Sequence, residues 1–94
     1  MRKYETMFIV NPDLDSETTE ELVEHITTVI EDNNGEVVNT DKWGTKELAY
    51  EINDHSAGYY TVINFKANNE TLDELERNYK INDNVIRYLI LKDE

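Results

Sequence analysis

Between Lys3 and Val10 apolar and aromatic side chains recur without a helical period. The segment therefore predicts a strand with Tyr4, Thr6, Phe8 and Val10 on one face and Lys3, Glu5, Met7 and Ile9 on the other. The turn Asn11-Pro12-Asp13-Leu14-Asp15 closes it, and Asp15 or Ser16 suits the N-cap of a helix with an acidic first turn. That helix is expected to reach about Asn33, because Leu22, Ile26 and Val29, with Val23 and Ile30 alongside, form one buried stripe. Asn34-Gly35 then supplies a left-handed stop. From Glu36 to Ile52 the pattern is extended again, anchored by Val37, Val38, Trp43, Leu48, Tyr50 and Ile52, with Gly44 as a bulge or bend. Asn53 to Gly58 reads as a polar connection to a third strand, Tyr59 to Ala67. Asn68 or Asn69 caps a second helix carrying Leu72, Leu75 and Tyr79. Asn82-Asp83-Asn84 breaks it, and Val85 to Lys92 is the last strand.

This order of elements is that of the α+β class with the ferredoxin-like βαββαβ arrangement, a four-stranded antiparallel sheet covered by two helices on one face. The first and third strands are then central, with the fourth beside the first and the second beside the third. Such a sheet normally alternates apolar inward and polar outward, because its second face meets water. Here it does not alternate cleanly. With Phe8, Val10, Ile63, Phe65, Ile86, Tyr88 and Ile90 toward the helices, the other face still carries Met7, Ile9, Tyr60, Val62, Leu89 and Leu91. A contiguous apolar patch of that kind marks a binding surface for a protein partner. The alternative is a different register in each strand, which would scatter the same residues harmlessly.

Length changes the picture little: 94 residues suit one domain spanning 1–94. No run approaches the roughly 20 apolar residues of a membrane helix, and Met1-Arg2-Lys3-Tyr4-Glu5 leads into a charged segment rather than a signal-peptide core, so a cytoplasmic protein without a membrane partner is expected. Without cysteine there is no disulfide framework, thiolate site or thiol nucleophile.

Charge matters more. Nine Lys and Arg against 21 Asp and Glu give a net −12, which ordinarily disfavours a nucleic-acid partner. Screening over about 8 Å makes the placement of the bases decisive. The topology brings Arg2, Lys3, Lys66 and Lys92 to one end of the sheet, with Arg87 farther along the last strand. Glu17, Glu20, Glu21, Glu24, Asp73, Glu74 and Glu76 fall on exposed helix sides. A basic border of that size would contact a few phosphates, or it would be no more than a set of solvated lysines.

Several segments together resemble one family over nearly the whole chain. They are Met1-Arg2-Lys3-Tyr4-Glu5, Ile9-Val10-Asn11-Pro12, Gly44 with Leu48-Ala49-Tyr50-Glu51-Ile52, Ala57-Gly58-Tyr59-Tyr60, and Ile81-Asn82-Asp83-Asn84-Val85-Ile86-Arg87. In order and spacing they resemble the bacterial small-subunit ribosomal protein six family. The resemblance implies a ribosome-associated structural protein that binds small-subunit (16S) ribosomal RNA in the central platform. It also implies a heterodimer with the eighteenth small-subunit protein, docked on the sheet. Arg2, Lys3 and Arg87 match positions where the family is basic and contacts RNA, and Lys46 matches a basic position beside Leu48-Ala49-Tyr50. With Lys66 and Lys92 these are the candidate RNA-binding residues; Met7, Ile9, Tyr60, Val62, Leu89 and Leu91 are the candidate partner-binding ones. Glu47 departs from the pattern, standing where some relatives carry arginine, so the partner is expected to supply much of the RNA affinity.

No catalytic site, metal site, cofactor or small-molecule substrate is expected. His25 and His55 are the only histidines and lack the spacing of a transition-metal site. The acids fall on helix faces instead of converging from separate strands. Asp13, Asp15, Glu17 and Glu24 resemble a calcium loop, but Thr18 stands where that loop needs glycine. Gly58-Tyr59-Tyr60-Thr61-Val62 lacks the leading basic residue of the RNA-recognition-motif strand. Acylphosphatase shares the fold, yet its phosphate loop would here be the acidic Asn11-Pro12-Asp13-Leu14-Asp15. A self-pairing regulatory or small-ligand-binding domain of the same fold is the remaining alternative.

Overall fold

A computed structural model describes residues 1–52 and 55–93. Its elements are β1 (Arg2–Val10), α1 (Ser16–Asp32), β2 (Glu36–Ile52), β3 (His55–Ala67), α2 (Asn69–Ile81) and β4 (Val85–Lys92). The strands form one sheet in the order β2-β3-β1-β4, each pair antiparallel, which is the ferredoxin-like arrangement expected from the sequence.

Local chemistry explains the boundaries. Asp15 caps α1 by accepting a hydrogen bond from the Thr18 backbone N–H at 2.7 Å, and its hydrogen bonds with Thr18 hold its carboxyl below the usual carboxylate range. Asn34, not Gly35, adopts the left-handed backbone that ends the helix, with φ 68°. Gly35 is needed for a different reason: a Cβ there would lie 2.7 Å from the Ile30 carbonyl oxygen and 2.8 Å from Thr71 Cγ2. Asn68 caps α2 in a reciprocal box with Thr71. The Thr71 hydroxyl also donates to the Asn33 carbonyl at 2.6 Å, which ties the start of α2 to the end of α1.

The core lies between the helices and one sheet face. Leu22, Val23, Ile26 and Ile30 of α1 and Leu75 and Tyr79 of α2 close over Phe8, Val10, Ile63, Phe65 and Ala67. Tyr79 packs against Phe8 and Tyr88 at ring separations of 5.5 and 4.7 Å. One polar thread crosses this layer. The Thr6 hydroxyl donates its one hydrogen to the Leu89 carbonyl at 2.8 Å, so the Tyr79 phenol is the donor to Thr6, also at 2.8 Å. Burial pushes the Tyr79 phenol well above its usual range, which keeps it neutral and able to donate.

Two expectations are corrected. His55 to Gly58, read from sequence as loop, begin β3, because β2 runs far enough to pair Ile52 with His55, Glu47 with Ala57 and Lys46 with Gly58. Asn53 and Asp54 of that expected connection lie outside the described residues. Ile86 does not face the helices. A register shift opposite Ile9 and Val10 sets Val85 against the core, while Ile86 comes within 3.6 Å of the site a Gly58 Cβ would fill, on the open face. The bulge expected at Gly44 is present: the β2–β3 register shifts between Lys42 and Gly44, and Gly44 has φ 84°.

Candidate nucleic-acid interface

The registers lay out the open face as rows running across the strands. One row is Asn39, Asn64, Glu5 and Leu91; the next is Asp41, Val62, Met7 and Leu89; a third is Gly44, Tyr60, Ile9 and Arg87. All six candidate partner-binding residues therefore share this face. Their exposure differs with position. Leu89 and Leu91, on the edge strand β4, are 38% and 55% exposed, whereas Val62 and Ile9, on the two central strands, are 6% and 4% exposed in the isolated chain. The expectation that all six form one exposed patch is thus corrected. A short branched side chain on a central strand is walled in by taller neighbours on both sides. Ile9 also fills the space above Gly58, where a side chain would collide with its Cγ2.

Trp43 and Ile86 extend this surface and were not singled out as binding residues from sequence. The Trp43 ring stacks on Tyr60 at 6.3 Å with 10° between planes, and its indole N–H donates to Asp41 at 2.9 Å. The signal for Trp43 was the bulge at Gly44, which adds one residue to β2 beside it.

The candidate RNA-binding residues fall at two ends of the sheet. Lys3 stands directly across from Lys66 in a further row of the open face, with Glu36 on the far side of Lys66. Arg2, opposite Ala67, and Lys92, opposite Tyr4, lie at the same end but in the alternate register, toward the helix side. Arg87 and Lys46 sit at the other end. Arg87 pairs with Ile9, six residues from Lys3 along β1, or about 20 Å at about 3.4 Å per residue. Like charges opposite one another are unfavourable unless a counter-ion joins them, so the Lys3–Lys66 pair is a ready seat for an anion.

The remaining bases are already neutralised. Lys42 pairs with Glu20 at 3.0 Å, Arg77 with Glu74 at 3.4 Å and Lys80 with Glu76 at 3.4 Å. Among the described residues Lys3, Lys46, Lys66 and Arg87 have no carboxylate partner. Arg87 instead donates from Nη1 to the Tyr50 hydroxyl at 2.9 Å.

Residues 3–92 match the family model described as ribosomal protein S6. The chain belongs to the ribosomal protein S6 family. It is 51% identical over all 94 residues to the small ribosomal subunit protein bS6 of Clostridium novyi (strain NT), covering 99% of that protein. Against the bS6 of Shouchella clausii (strain KSM-K16) the identity is 47% over the same length, again covering 99%. The crystal structure of 30S ribosomal protein S6 from Thermotoga maritima superposes with a TM-score of 0.94 at 35% identity, over 98% of this chain and 87% of that one. Membership of the S6 family makes the chain a structural protein of the small ribosomal subunit and not an enzyme.

Proposed function

We propose that the protein binds small-subunit (16S) ribosomal RNA in the central platform of the subunit, jointly with the eighteenth small-subunit protein as heterodimer partner. One observation carries this reading: Lys3, Lys46, Lys66 and Arg87 on the open side of the sheet have no carboxylate partner among the described residues, while Lys42, Arg77 and Lys80 are paired with glutamates. In a chain of net charge −12, cations that no carboxylate of the chain engages are the groups available to an external anion. The exposed acids of α1 turn away from the open face, so a phosphate backbone approaching Lys3, Lys66 and Arg87 meets a local field unlike the molecule's average.

The eighteenth protein is assigned to the open face, with Leu89 and Leu91 as its first contacts and Met7, Tyr60 and Trp43 around them. Val62 and Ile9 support that surface from below. A partner with its own basic groups would also offset the acidic charge that weakens RNA binding by this chain alone.

Assembly of the two proteins onto a 16S ribosomal RNA transcript tests the reading. With about four phosphate contacts the affinity should fall with a log–log salt slope near −3.6. Joint reversal of Lys3→Glu and Arg87→Glu should abolish assembly at moderate salt, while Glu21→Lys with Glu24→Lys should not. Equal losses from both pairs would defeat the site assignment. Sedimentation of the pure chain as a tight homodimer through the open face would favour the self-pairing alternative.

A further inference from the structure

Tyr50 and Arg87 belong to opposite edges of the sheet. β2 and β4 are separated by β3 and β1, so at about 4.8 Å per step the two edges lie about 14 Å apart. Their side chains nevertheless meet at 2.9 Å. β2 and β3 run on together beyond Val10, where β1 ends, and a two-stranded ribbon twists more strongly than a full sheet. Within that ribbon the register breaks between Glu47 and Ile52, so Tyr50 stands on an irregular stretch of β2 that meets the guanidinium of Arg87 across the end of the open face.

We propose that Tyr50 is a positioning residue for RNA binding, its phenol presetting the Arg87 guanidinium to receive a backbone phosphate. The inference rests on the reading above that Arg87 contacts RNA. A phenol is a neutral acceptor, so it fixes the direction of the guanidinium without cancelling its charge, as Glu74 does for Arg77. It occupies one of five N–H donors and leaves four, enough for the two parallel bonds of a guanidinium–phosphate fork. An arginine held in place also loses less rotamer freedom on binding than a free one. Tyr50 is itself 64% exposed, so the ring is on the surface and is not a core support. Lys46, opposite Gly58 at the same end, places a second cation nearby for the adjoining phosphate.

Binding of the full chain, together with the eighteenth protein, to a 16S ribosomal RNA transcript distinguishes the possibilities. Tyr50→Phe keeps the ring and removes only the hydroxyl; it should weaken binding about 3- to 10-fold, the range of one hydrogen bond, with the salt slope unchanged. Arg87→Ala should weaken binding further and lower the salt slope by about one. In the Arg87→Ala background Tyr50→Phe should have no further effect, since a positioning residue acts only through the group it positions. An undiminished Tyr50 effect in that background, or none in the parent, overturns the positioning role and leaves the RNA reading standing if Arg87→Ala still weakens binding. No effect of Arg87→Ala overturns both. A Tyr50→Phe loss seen equally in association of the two proteins without RNA would assign the pair to the protein interface and overturn the proposal.

Discussion

On the helix side of the sheet Phe8, Val10, Ile63 and Phe65 of the central strands are enclosed, and Val85, Tyr88 and Ile90 on the edge strand β4 are half-buried, because a second layer of structure lies over both. On the open side enclosure depends on the strand. Val62 and Ile9 in the centre are buried by their neighbours, while Leu89 and Leu91 at the edge stand out. The contrast separates two sources of burial, a covering layer and lateral crowding, and only the first protects an edge strand. An apolar edge left uncovered in this way is the part of the sheet that another molecule has most to gain by covering.

Replacements on the two faces should therefore differ in kind as well as size. Phe8→Ala, which empties a site between Tyr79 and the sheet, should cost about 3 to 5 kcal/mol in urea denaturation; a loss below about 1 kcal/mol would mean that the helix layer is not what encloses it. Next come two threonines that look alike in sequence. Thr6→Val leaves the Tyr79 hydroxyl without its acceptor and should cost about 1 to 3 kcal/mol. Thr61, whose buried hydroxyl has no hydrogen-bond partner among the described residues, should tolerate Thr61→Val with a gain of about 1 kcal/mol. If both variants shift stability in the same direction, the polar thread through the core has been misread. The smallest effect is expected at the edge: Leu91→Ser should change stability by less than about 0.5 kcal/mol, yet weaken association with the eighteenth protein. Intact association measured by calorimetry would remove the edge from the partner surface.

Part of the candidate site was legible beforehand. The alternation in β1 and β3 assigned Met7, Ile9, Tyr60 and Val62 to one face, and the order of elements placed Lys3 beside Lys66. The Tyr50–Arg87 contact was not legible, because those residues are 37 positions apart on opposite edges and Tyr50 lies where the β2–β3 register breaks, between Glu47 and Ile52. Ile86 was misassigned for a similar reason: strict alternation puts it with Tyr88, and one shifted register sends it to the other face.

The sequence by itself determined the order of the elements, the place of their caps to within a residue and, Ile86 aside, the strand residues assigned to the helix side, since periodicity and capping act over a few neighbouring positions. The tertiary structure alone decided which open-face residues are covered, which bases are ion-paired and what orients Arg87. Those properties depend on contacts between distant segments, through bulges and strand twist that local pattern does not encode.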